Sequence, residues 1–137
     1  MYEIIPKLYL SNYRDVVNSL DSDSEFFVLN CTKDLPMVRS KYGGTRLYVD
    51  DSPLSEKTMT KNLPVMIKYI DDQLKRNHNV VVHCYAGQQR SAAVIATYLI
   101  NKKGMSYEEA IKYIKSKKHD AFYDGVHFED SIKKNIR

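Results

Sequence analysis

Val80-Val81-Val82-His83-Cys84-Tyr85-Ala86-Gly87-Gln88-Gln89-Arg90-Ser91 is an apolar β-branched run that ends in a cysteine and turns through a small residue and a glycine. The three valines are too uniformly apolar for an edge strand and predict a central one, buried on both faces. From Ser91 the chain is apolar almost all round through Leu99, which predicts a helix lying beneath the loop. Strand, loop and helix in this order put the loop at the carboxyl end of a central strand, where α/β sheets usually bind ligands. Five residues separate Cys84 from Arg90. A loop of this kind can aim several backbone N–H groups inward, the helix N-terminus adds positive potential, and the guanidinium supplies a planar fork for two phosphate oxygens. The field that attracts a phosphate dianion also favours thiolate over thiol, so Cys84 is the expected nucleophile.

The flanking sequence supplies the rest of an α/β domain. Leu8 to Leu10, Phe26 to Asn30 and Arg46 to Val49 read as short strands, the last released from a Gly43-Gly44 turn, and Tyr13 to Leu20 reads as a helix. Met59 to Arg76 carries Leu63, Met66, Ile67, Ile70 and Leu74 at the spacing of one helical face. Gly104 ends the helix that begins at Ser91, and Ser106 with Glu109 makes a capping box for a helix running to about Lys117. A last amphipathic helix is predicted from Phe128 to Ile136. The expected architecture is a small central mixed sheet with helices on both faces, in one domain spanning residues 1–137.

Composition narrows the function. A hydrophobic fraction of 43% suffices for a core without disulfides, and two cysteines, Cys31 and Cys84, are too few for a secreted scaffold or a zinc site. Glu3 and Pro6 interrupt the first apolar stretch and spoil a signal peptide, and the apolar run from Ala92 to Ile100 is too short for a bilayer. A soluble intracellular protein is expected, cytoplasmic with nuclear access open, and with no membrane partner. The net charge of +4 is spread over Lys102-Lys103, Lys115-Ser116-Lys117-Lys118 and Lys133-Lys134, which read as solvated surface. Aromatic and basic residues do not interleave as RNA-binding modules require, so no nucleic-acid partner is expected. Neither a metal nor a cofactor is called for.

His83-Cys84-x5-Arg90-Ser91 resembles the active-site motif of the cysteine-dependent protein tyrosine phosphatases, and the flanks resemble the small dual-specificity branch. Ile5 to Asn12 followed by Val28 to Thr32 is similar to that branch's opening strands, and Tyr48-Val49-Asp50-Asp51-Ser52-Pro53 is similar to its general-acid loop. The resemblance implies catalysis by Cys84, Arg90, Asp51 and Ser91, with phosphate bound by the loop residues Tyr85, Ala86, Gly87, Gln88, Gln89 and Arg90. Ser91 would hydrogen-bond the thiolate and help it leave, or act as a plain helix cap. Gly87 would provide a conformation or close approach that a side chain obstructs. The resemblance assigns His83 a structural role, its ring bonded to the loop backbone. Asp50 is the rival of Asp51, since neighbouring side chains on an extended segment face opposite ways.

Two departures from the family's usage stand out. Gln88 and Gln89 occupy loop positions where smaller residues are common, and Val126-His127-Phe128 lacks the asparagine of the family's Asn-x-x-Phe element, which leaves bracing of the loop open on that side. Cys31 reads as a core cysteine, although some relatives pair a second cysteine with the nucleophile. The implied function is hydrolysis of phosphotyrosine and phosphoserine or phosphothreonine in proteins through a cysteinyl-phosphate. An RNA 5′-end or phosphoinositide phosphatase is the alternative, and a non-catalytic phosphoprotein-binding module is a third reading. Oligomeric state is not legible.

Overall fold

The computed structural model describes residues 1–50, 52 and 55–137. Among them the strands are β1 (Tyr2–Ile5), β2 (Leu8–Ser11), β3 (Phe26–Asn30), β4 (Gly44–Arg46) and β5 (Asn79–His83). The helices are α1 (Tyr13–Ser19), α2 (Glu56–Lys75), α3 (Arg90–Lys103), α4 (Tyr107–Lys117) and α5 (Glu129–Lys134). The strands form one mixed sheet in the order β1-β2-β5-β3-β4, antiparallel only between β1 and β2. The valine run therefore lies on the central strand, and it is buried on both sides.

Alternation along β5 explains how one strand serves two cores. Val80 and Val82 join Leu8, Leu10, Phe27 and Leu29 on the face covered by α2 and α3. Val81 turns the other way and packs with Val28 and with Val16 of α1. Helices thus cover both faces. Every residue of α3 from Ser91 to Ile100 is buried, as its nearly uniform apolar sequence requires. Gly104 ends α3 in the left-handed conformation, and the Ser106–Glu109 capping box starts α4. No helix among the described residues is long and apolar enough to cross a membrane.

Three elements differ from the sequence reading. β1 was not anticipated, because an edge strand with Tyr2 and Glu3 exposed carries little hydrophobic signal. β4 lies earlier than Arg46 to Val49: Gly44 lets the chains approach where a Cβ would come within 2.4 Å of the Val28 carbonyl. Leu47 and Val49 still donate to the Asn30 and Cys31 carbonyls, but the chain after Cys31 bends away and the regular ladder stops at Arg46. α2 begins at Glu56 and runs through Pro64. Proline cannot donate to the carbonyl four residues back, and the Asn135 amide takes that place on Thr60 O at 3.1 Å. A remote side chain thereby replaces the missing helical bond.

Candidate active site

β5 delivers Cys84 to the carboxyl edge of the sheet, and α3 begins at Arg90, so residues 84–89 cross the helix N-terminus as a loop. Cys84 is 2% exposed. Its sulfur accepts the Gly87 N–H at 3.3 Å and lies 3.1 Å from the Ser91 hydroxyl. Gly87 has φ +69°, and a Cβ there would sit 2.8 Å from the Ser11 carbonyl, so both conformation and space require glycine. A pocket of about 250 Å³ opens above the thiol, with Arg90, Tyr85, Gln88 and Tyr123 in its walls.

Arg90 lies along a second wall. Its Nη1 donates to the Val49 carbonyl at 3.1 Å, while Nε is buried with no hydrogen-bond partner among the described residues. Most of its donors are thus free of described protein acceptors, as an anion-binding guanidinium needs. His83 is fully buried, with Nδ1 3.3 Å from the Cys84 carbonyl. That contact requires the proton on Nδ1. Burial pushes the His83 pKa down to about 4, with Arg46 and Arg90 adding to the effect against the opposing carbonyl bond. The ring is therefore neutral at pH 7. Burial also pushes the Cys31 thiol up, and neighbouring Cys84 pushes it further. Cys31 is a free, fully buried cysteine.

The loop's outer side is held by a segment whose importance the sequence concealed. Gln89 is 5% exposed. Its Nε2 donates to the Tyr123 and Gly125 carbonyls at 2.7 and 2.8 Å, and its Oε1 accepts the His127 N–H at 3.0 Å. The bracing left open by the missing asparagine is supplied from the loop itself. Gln88 adds a second tie, with Nε2 donating to Asp120 at 3.1 Å and its carbonyl accepting the Phe122 N–H at 2.8 Å. Asp120 is in turn paired with Lys118. Burial alone would raise the Asp120 pKa, but hydrogen bonds from Lys118 and Gln88 outweigh it and hold the carboxyl below its usual range. Lys118 corrects the reading of residues 115–118 as solvated surface: its side chain is 3% exposed, ion-paired, and 5.7 Å from the centre of the Tyr2 ring.

The sequence-predicted residues His83, Cys84, Tyr85, Ala86, Gly87, Gln88, Gln89, Arg90 and Ser91 are thus brought together. Asp50 is exposed beside buried Val49. Asp51 lies outside the described residues.

Residues 8–135 match the dual specificity phosphatase catalytic domain family. The chain belongs to that family. Human dual specificity protein phosphatase 9 is 35% identical over 121 residues, covering 85% of this chain and 31% of that protein. Human dual specificity protein phosphatase 6 is 34% identical over 122 residues with the same coverage. The chain spans less than a third of the length of these curated relatives. Among solved structures, human DUSP28 superposes with a TM-score of 0.83 at 20% identity, covering 98% of this chain and 94% of that one. A mouse putative dual specificity phosphatase complexed with zinc tungstate gives 0.84 at 22% identity, covering 98% and 84%. These two structures share the α/β fold described above.

Two stability outcomes follow for this dual specificity phosphatase domain. Gln89→Leu keeps the volume but strips three hydrogen bonds from the 123–127 segment. It is expected to cost about 2 kcal/mol in urea denaturation, and a cost below about 0.5 kcal/mol would show the clasp to be held by Phe122 alone. His83 accepts a proton less readily when folded, at about 4, than when unfolded, at 6.5. Its contribution is intact above pH 6.5 and is lost as pH falls from there to about 4, by about 3 kcal/mol in all. His83→Gln should therefore lose less stability than the wild type between pH 7 and pH 4. Equal acid sensitivity of the two proteins would show that the folded chain protonates His83 without penalty.

Proposed function

We propose that the chain hydrolyses phosphotyrosine and phosphoserine or phosphothreonine in protein substrates through a cysteinyl-phosphate. The observation that carries this reading is the Cys84 sulfur, held by the Gly87 N–H and the Ser91 hydroxyl on the floor of a pocket that Arg90 lines with donors no described residue accepts. A phosphate monoester is a stable dianion, so a catalyst must supply a nucleophile, neutralise the transferring group and protonate the departing oxygen.

In this reading the Cys84 thiolate attacks phosphorus, a P–S bond forms, and the P–O bond to the substrate breaks. Arg90 and the loop N–H groups bind the three non-bridging oxygens and hold them more tightly as the transferring group becomes planar. Asp51 gives its proton to the leaving oxygen, then takes one from the water that attacks the cysteinyl-phosphate. The P–S bond breaks, inorganic phosphate forms, and the Ser91 hydroxyl stabilises the thiolate as it leaves. His83 orients the loop through the Cys84 carbonyl and, being neutral, carries no charge into the site.

Steady-state hydrolysis of matched phosphotyrosine and phosphothreonine peptides tests the scheme. Cys84→Ser should abolish turnover while retaining phosphopeptide binding, because a hydroxyl in the same cradle is a poor nucleophile. Residual activity above about a hundredth of wild type would sink the cysteine mechanism. Asp51→Asn is expected to slow phosphothreonine cleavage by about 10²-fold and erase the alkaline limb of the pH profile, and Asp50→Asn to do neither. The reverse pattern would move the acid to Asp50.

A further inference from the structure

The turn that clasps the loop is strained, and the strain has a visible product. Phe122, Asp124 and Gly125 lie at φ 58°, 62° and 94°, all in the left-handed region. Gly125 adopts it freely, but a bulky residue such as Phe122 does so only when its surroundings over-determine it. They do here. The Phe122 ring is buried and its N–H is tied to the Gln88 carbonyl, while the carbonyls of Tyr123 and Gly125 are fixed by Gln89. Beside the buried Phe122, Tyr123 is turned outward to 70% exposure in the wall of the pocket that holds Cys84. Tyr85, one residue after the nucleophile, is 68% exposed and lines the same pocket. Two large exposed rings thus line one small pocket whose surface is more apolar than polar.

We propose that Tyr123, with Tyr85, is the specificity-determining wall of this pocket, which holds the ring of a phosphotyrosine and favours aryl over alkyl phosphates. The inference rests on the phosphatase reading and adds to it a ranking of substrates. With phosphate bound over the buried sulfur, the part of the substrate that reaches the rim depends on the side chain. A phosphotyrosine places its ring there, where stacked or edge-to-face contact with a tyrosine is favourable. A phosphothreonine places only its short stem and main chain there, and the pocket admits it without that gain. Rigid aromatic residues with two torsions lose little entropy on contact, and the braced turn orders Tyr123 before substrate arrives.

The test compares kcat and KM for one peptide carrying either phosphotyrosine or phosphothreonine at the same position. Tyr123→Ala alters an exposed side chain and keeps the carbonyl that Gln89 holds, so the fold is expected to survive. It should lower kcat/KM for the phosphotyrosine peptide by about 3–10-fold, mainly through KM, and leave the phosphothreonine peptide within about twofold. Tyr123→Phe should behave as wild type. Equal loss on both peptides, or loss on neither, overturns the proposal. Calorimetric titration of Cys84→Ser protein with O-phosphotyrosine and O-phosphothreonine separates this inference from the phosphatase reading. A phosphotyrosine preference that Tyr123→Ala removes upholds the wall even if wild type hydrolyses neither peptide, and equal affinities overturn it.

Discussion

The turning of the 84–89 backbone toward the Cys84 sulfur is the constraint on which the remaining structure depends. When a loop directs N–H groups inward its carbonyls face outward, and a buried carbonyl without a donor is costly. Each neighbour of the loop answers one of them. His83 Nδ1 meets the Cys84 carbonyl, the Tyr13 N–H at the start of α1 meets Tyr85, and the Phe122 N–H meets Gln88. The Gln89 carbonyl is taken by Ala93 in the first turn of α3. The loop therefore joins three separate parts of the chain, and the backbone geometry around the thiol is only as firm as those parts.

The same accounting explains the otherwise unusual residues around it. A glycine is required where the loop meets the Ser11 carbonyl, since no Cβ fits there. Gln89 is long enough to reach three backbone groups of the 123–127 segment at once, which a serine at that position would not span. Lys118 is buried because Asp120 needs a cation while it accepts from Gln88. Removing Asp120 leaves the buried Lys118 ammonium unpaired, so these two are expected to vary together rather than singly.

This distribution of causes decides what was legible in the sequence. The valine run, the all-apolar helix after Ser91, the glycine stop at 104 and the capping box at Ser106 are local signals, each readable from a few adjacent residues. The fold class and the cluster of loop residues follow from them. The tolerance of Pro64 inside α2, the packing of Lys118 against Tyr2 and the clasp by Gln89 depend on partners 30 or more residues away, whereas the edge strand at Tyr2–Ile5 pairs with nearby Leu8–Ser11 and is hidden only by its weak hydrophobic pattern. Nothing in the local pattern distinguishes Lys118 from the solvated lysines beside it. Gln89 was visible as a departure from family usage, and the absent asparagine near Val126 was visible as another. Only their meeting in space shows that one departure offsets the other.

A further coupling concerns the opposite wall. Arg90 spends one donor on the Val49 carbonyl, which immediately precedes the aspartate pair. A guanidinium can do this and still present two parallel N–H groups to an oxyanion, because its five donors lie in one plane and point in different directions. An ammonium at position 90 would have to choose between the carbonyl and the ligand. The arginine therefore serves twice over, once as a planar fork for phosphate oxygens and once to hold Val49 against the loop. Under the proposed mechanism, the side chain that neutralises the transferring group also ties Val49 to the loop, so the two walls of the pocket are linked before substrate enters.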